Sequence, residues 1–106
     1  MNADVKALWV AALRSGDYTQ AKRYLRAYNG HCCLGVLCEV AVTAGVYVPA
    51  EWTEFALLPN EVRDWAGCGG LGAIVTIGTH REYLPEHNDI HEATFAQIAD
   101  AIEAQL

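Results

Sequence analysis

The sequence lacks three features that would assign it to a common functional class: a basic run, a long apolar run, and a basic leader followed by an apolar segment. Its 7 lysines and arginines are outnumbered by 13 aspartates and glutamates, and the formal charge at pH 7 is −6. A phosphate backbone is bound by clustered cations, so we expect no direct contact with nucleic acid. A bilayer span needs about 20 apolar residues, and a secretory leader needs the basic-then-apolar order. We therefore expect no membrane association and a cytoplasmic location.

Internal repeats, low-complexity tracts and interdomain linkers are also missing from the sequence. Hydrophobic residues make up 53% of the 106 positions and charged residues 19%, a balance typical of a folded protein. Single domains cluster near roughly 100 to 150 residues. Residues 1–106 are therefore predicted to form one compact domain.

The cysteines do not have the spacing of a structural metal site. Zinc ligands usually come in pairs from tight turns, as in CxxC, whereas four residues separate Cys33 from Cys38. On a helix these two side chains would point about 140° apart. In a reducing compartment we expect Cys32, Cys33, Cys38 and Cys68 to be free thiols. The sequence predicts no metal and no cofactor.

One pair of histidines has the spacing of metal ligands. His87 and His91 have the i, i+4 spacing of two ligands on one helical face. Asn88 and Asp89 between them are typical of a turn or a cap, which would point the two rings in different directions. A site that combines Cys68 with a histidine is the alternative.

Helical spacing of apolar residues marks three segments. The first runs from Val5 to Leu13, the second covers about residues 33–44, and the third runs from Phe95 to Leu106. The second segment is apolar around most of its circumference, so this helix should lie at the centre of the fold. Thr94 and Gln97 are in capping-box relation at the start of the third.

Shorter elements complete the predicted fold. Residues 58–67 indicate a short helix with Pro59 in its first turn, and residues 73–77 indicate a strand with which 80–84 could pair. Asn29-Gly30 predicts the tight turn of a hairpin from about Tyr24 to Cys32. The predicted class is α+β: three to four helices around a small antiparallel sheet or hairpins.

A nucleophilic thiol is one interpretation of the cysteines before the central helix. Backbone N–H groups at the amino end of a helix stabilise a thiolate, and Cys32 and Cys33 lie at such an end. His87 could serve as base, as could His31, His80 or His91, with Asn88 or Asp89 orienting it. The alternative is that the thiols pack in the core, where free cysteine behaves as a small hydrophobe.

Aromatic residues suggest a contact surface as well as a core. Trp9 and Trp65 fit helical stripes and are predicted core residues, whereas Trp52 and Phe55 lie in a loop beside two glutamates. We expect Trp52 and Phe55 to contact a partner. Glu39, on the less apolar face of the central helix together with Cys32 and Gly35, and Asp89 are the further candidate binding residues.

Several segments in this order resemble a family of small uncharacterised proteins carried by bacteriophages and prophages. The segments are Leu8 to Tyr18, Cys32-Cys33-Leu34-Gly35-Val36-Leu37-Cys38, Leu58-Pro59 with Val62 and Trp65, and Asn88-Asp89 before residues 95–103. The resemblance implies a phage accessory protein that acts in the host cytoplasm. It supplies no catalytic residues.

Together these observations favour a non-enzymatic accessory protein that binds a host or phage protein, in host takeover or in counteracting defence. Small size, high apolar content, an acidic surface and an incomplete catalytic constellation are the reasons. A homodimer is compatible with the same composition. The alternative function is a cysteine-dependent hydrolase or transferase that uses Cys32 or Cys33 with a histidine base.

Overall fold

A computed structural model describes residues 1–48 and 57–106 of the chain. Helix α1 (Ala3–Arg14) begins where the side chain of Asn2 accepts the backbone N–H of Val5 at 3.0 Å. Its buried residues are Val5, Trp9, Val10 and Leu13, whereas Leu8, which the apolar spacing places on the same stripe, is 51% exposed. The sequence prediction for this helix is confirmed.

Helix α2 (Cys33–Thr43) is the central helix that the sequence predicts. Every residue from Cys33 to Cys38 is buried. Trp9 of α1 lies against the first turn of α2 and donates its indole N–H to the carbonyl of Cys33 at 3.0 Å. This bond satisfies the one polar atom of a fully buried tryptophan, so α1 and α2 are joined through the middle of the core.

The predicted short helix and strand pair are also present. Helix α3 (Asn60–Ala66) ends at Gly67, whose φ of 68° is the left-handed conformation that favours glycine after a helix. Strands β1 (Ile74–Ile77) and β2 (His80–Tyr83) pair antiparallel, with Ile74 opposite Tyr83 and Ile77 opposite His80.

Two further helices follow the strands. Helix α4 (Leu84–Asp89) was not predicted from the sequence, because Asn88 and Asp89 are typical of a turn. Helix α5 (Phe95–Gln105) has the predicted capping box between Thr94 and Gln97 and packs along α1. The described residues thus contain five helices, more than the three to four predicted, and the α+β class is confirmed.

The segment between α1 and α2 differs from its prediction. Instead of a hairpin with strands from Tyr24 to Cys32, a single antiparallel bridge joins Ala27 and Gly30 around one tight turn. Gly30 has a φ of 146°, and a Cβ on it would collide with the carbonyl of Thr19. The backbone bonds within the segment are isolated, such as Ala21 to His31 and Cys32 to Tyr24, and they do not form a continuous ladder between two strands.

One core connects the elements. It contains buried side chains from all five helices, from β1 and from the irregular segment 20–32. No helix among the described residues has the length and apolarity needed to cross a bilayer.

Candidate functional site

The two adjacent cysteines at the start of α2 are fully buried. Cys32 is the N-cap residue and Cys33 the first helical residue, and both have no exposed area. Burial raises the pKa of Cys32 to about 11, although the backbone N–H groups of Gly35 and Leu34 act in the opposite direction. Burial also raises the pKa of Cys33 well above its ordinary value. Desolvation therefore outweighs the helix terminus, and both thiols are protonated near neutral pH.

Gly35 explains why Cys32 is covered. A Cβ on Gly35 would overlap the carbonyl oxygen of Leu25, so the backbone around Leu25 lies directly on this face of α2. Leu25 is itself only 2% exposed. Cys32 and Gly35, which the sequence places on the less apolar face of the helix, are thus buried because segment 20–32 packs there.

The remaining cysteines also have raised pKa values. Burial raises the pKa of Cys38 to about 12, and it raises that of the half-buried Cys68. All four cysteines are free thiols. Among the described residues, no hydrogen bond joins a cysteine to a histidine, and the thiol of Cys33 is 3.7 Å from the carbonyl oxygen of Leu84.

His87, the proposed base, is fully buried within α4 and points into the fold. Its Nε2 lies 2.8 Å from the carbonyl oxygen of Val75, which can only accept, so Nε2 carries the proton. This bond ties α4 to β1. Its Nδ1 has no hydrogen-bond partner in the described part of the chain.

Asn88 and Asp89 act together as a clamp on the irregular segment. The amide of Asn88 donates to the carbonyl of Ala21 and to the carboxylate of Asp89, both at 2.8 Å, and its oxygen accepts from Gln20 at 2.8 Å. Asp89 in turn accepts the backbone N–H of Arg23 at 3.0 Å. These two residues were expected to orient a histidine base. Instead they bind the backbone of Ala21 and Arg23.

Gln20 extends this clamp to the start of α5. Its amide donates to the carbonyl of Ala93 at 2.7 Å, and its oxygen accepts the backbone N–H of Phe95 at 3.2 Å. Segment 20–23 is consequently fixed to α4 and to α5 by side chains whose partners lie on other elements.

Glu39 lies in a half-buried cluster with Tyr18 and with His31 of the irregular segment. Its carboxylate is 3.0 Å from Nε2 of His31, whose ring is packed edge-on against Tyr18 at 5.4 Å. Burial, followed by the charge of Glu39, raises the pKa of Tyr18. The structure therefore gives Glu39 an internal partner, as it does Asp89. Trp52 and Phe55, the other candidate binding residues, lie outside the described residues.

Three histidines and a carboxylate approach each other between β2 and α5. The rings of His80 and His91 are stacked at 3.8 Å, His87 is 5.8 Å from His91, and Glu82 lies 3.9 Å from Nε2 of His91. Within residues 1–48 and 57–106, no set of three His, Cys, Asp or Glu side chains has the geometry of a metal site. His91 lies beyond the end of α4, so the i, i+4 pair is not on one helical face.

The most accessible group of potential contact residues is the segment that we name the Tyr–Arg loop, residues 22–28. Tyr28 is fully exposed at the tip of the turn, Tyr24 is 40% exposed, and Lys22, Arg23 and Arg26 are exposed. Leu25 between them points into the core. The sequence predicts a hairpin here; the combination of tyrosine and arginine was the available signal for a contact surface.

The comparisons with known proteins define the class of this chain. Residues 1–106 match the family described as Domain of unknown function (DUF8296), and the chain belongs to this family. No curated protein and no solved structure matches it.

Proposed function

We propose that this protein is a small phage accessory protein that binds a protein of the host or of the phage and performs no catalysis. The observation that carries the proposal is the exposure of Tyr28 and Tyr24 on a loop whose backbone is anchored to α2 and α4. Tyrosine and arginine dominate the energetics of protein interfaces because they offer large contact area together with hydrogen bonding.

The anchoring of the loop supports binding by a preformed surface. Leu25 lies on Gly35 of α2, Asp89 of α4 holds Arg23, and Gln20 is bonded to the start of α5. A loop that is already ordered loses little conformational entropy when a partner docks. The site of action that we propose, the host cytoplasm, follows from the sequence resemblance to phage proteins.

The alternative, a cysteine-dependent hydrolase or transferase, receives less support. An attacking thiolate must be accessible and formed at working pH. Cys32 and Cys33 have no exposed area and raised pKa values, while His87 is bonded to Val75 and Asn88 to Ala21. We therefore assign these residues to the core and the clamp.

Site-specific photo-cross-linking in bacterial cells tests the proposal. A photoreactive amino acid at exposed Asn29, next to Tyr28, should give a defined protein adduct, and Tyr28→Ala should reduce its yield several-fold by removing the central contact. One control is the same cross-linker at exposed Ala96 of α5, and the other is the variant Tyr83→Ala, at another exposed tyrosine. Equal adducts from positions 29 and 96, or none from either, would refute a partner at this loop.

A further inference from the structure

The charges of the chain are segregated along the sequence. All 13 aspartates and glutamates lie outside residues 18–38, whereas three of the seven lysines and arginines, Lys22, Arg23 and Arg26, lie within this stretch. The protein therefore carries a local positive segment inside an acidic molecule. In the folded protein these three cations belong to the Tyr–Arg loop.

The cations of the loop are presented to solvent. Lys22 forms a 2.8 Å ion pair with Glu92, but both side chains are largely exposed, so this pair is weak and can be exchanged for another carboxylate. Arg23 is exposed, and in the described part of the chain its guanidinium has no hydrogen bond or ion pair. Together with Tyr24 and Tyr28 they form a surface that combines positive charge with aromatic area.

Arg23 occupies a backbone conformation that an arginine rarely adopts. Its φ is 75°, which costs free energy for any residue with a Cβ, and glycine would adopt it without strain. The bond from the backbone N–H of Arg23 to Asp89 holds this conformation. A cationic side chain is thus kept at a position where the backbone alone would favour glycine.

Carboxylates border the loop on the side of α4. An open groove of about 380 Å³ beside it is lined by Lys22, Arg23, Glu86 and Asp89, with the exposed side chain of Ile90. A nucleic acid strand carries a charge at every phosphate and would be repelled by Glu86 and Asp89 as it left the loop. A protein can place a few carboxylates on the cations and apolar or donor groups elsewhere, so a protein fits this charge pattern better.

We propose that the Tyr–Arg loop recognises an acidic protein segment, with Arg23 and its neighbouring cations contacting carboxylates and Tyr24 and Tyr28 contacting the adjacent side chains. This inference rests on the proposed function and specifies the chemistry of its partner. Electrostatic attraction would accelerate association and select among partners, although the protein as a whole is acidic.

Fluorescence anisotropy with defined probes tests the chemistry of the loop. The probes are a labelled peptide with two glutamates among leucine and serine residues, the same peptide with lysine in place of glutamate, and oligothymidylate of equal length. The glutamate peptide should bind, more weakly as salt increases, and the lysine peptide should not. Arg23→Ala should weaken binding about fivefold, whereas Arg81→Ala, at an exposed arginine of β2, should leave it unchanged.

Arg23→Gly separates a binding role from a structural one. It removes the cation and the backbone strain together, so the melting temperature should stay equal or rise while binding of the glutamate peptide falls as it does in Arg23→Ala. Absence of binding to the glutamate peptide, unchanged binding by both Arg23 variants, or tighter binding of oligothymidylate would overturn the inference. Cross-linking at Asn29 to a partner without an acidic segment would also overturn it, yet leave the proposed function standing.

Discussion

At the scale of single residues, burial decides the chemistry of the cysteines. The helix terminus that could activate Cys32 is present, and its N–H groups do lower the pKa. Removal of the thiol from water is the larger effect, and the pKa is about 11. The same residue would be a candidate nucleophile if segment 20–32 did not cover it.

Alkylation of the folded protein with iodoacetamide should therefore be slow at Cys32, Cys33 and Cys38. With a pKa of about 11, the thiolate fraction of Cys32 at pH 8 is about one in a thousand, and the sulfur is also inaccessible. Mass spectrometry of a pH series should show half-buried Cys68 modified first, with denatured protein as the control for full reactivity. Rapid modification of Cys32 or Cys33 near neutral pH would revive the enzyme alternative.

Stability should respond to the same ionisations at alkaline pH. A thiol whose pKa is raised on folding stabilises the fold in its protonated form, so its contribution is complete below the unfolded-state value of about 8.5. For Cys32 this contribution is lost as the pH rises from there to about 11, by up to about 1.4 kcal/mol per pH unit. Denaturant unfolding under reducing conditions should show a steeper alkaline decline in the natural sequence than in Cys32→Ala.

At the scale of elements, a side chain forms the hydrogen bonds that a third strand would otherwise form with the outer edge of β1. The outer edge of β1 is bonded to Gln105 at the end of α5: its oxygen accepts the N–H of Thr76 and its amide donates to the carbonyl of Thr76, both at 2.7 Å. An exposed strand edge is a site for unwanted pairing. Gln105 covers one residue of that edge and ties the sheet to α5.

Replacement of Gln105 by alanine should release this edge without unfolding the protein. The N–H of Thr76 would lose its acceptor, so its hydrogen exchange measured by NMR should accelerate about tenfold or more. The amide of Val75 is the internal control, because successive N–H groups alternate in direction and that of Val75 faces β2. Equal acceleration at both residues would mean that the sheet as a whole had opened.

Sequence patterns predicted the elements that depend on local spacing. Helices α1, α2 and α5 were predictable from apolar periodicity and caps, and the strand pair from its β-branched run. Helix α4 and the irregular segment were not, because Asn88 and Asp89 have turn-like propensities that their remote bonds to Gln20, Ala21 and Arg23 override. Such tertiary bonds leave no periodic signal in the sequence.

At the scale of the whole molecule, one continuous core predicts one cooperative unfolding transition. Trp9 lies at its centre, with no exposed area and its indole N–H on the carbonyl of Cys33. Trp9→Phe would remove this buried hydrogen bond and reduce the packed volume, a loss of about 2 to 4 kcal/mol in the free energy of unfolding.

Urea unfolding followed by both far-ultraviolet circular dichroism and near-ultraviolet absorbance checks this prediction. The two signals should coincide in one transition for the natural sequence and for the variant. Leu8→Ala, at a half-exposed position of the same helix, is the matched control and should cost far less. Two separate transitions would contradict the single domain predicted for residues 1–106.

Apolar spacing and local side-chain bonds are sufficient to predict the α+β class, the central position of α2 and the capping box of α5. Whether the candidate thiols are accessible and ionised depends instead on tertiary packing. Packing of Leu25 on Gly35 buries Cys32, and the bonds of Asn88 and Asp89 hold Arg23 in its strained conformation. Desolvation and long-range hydrogen bonds depend on residues far apart in the chain, so sequence patterns do not reveal them. Because of these effects, the candidate site is the Tyr–Arg loop and not the thiols.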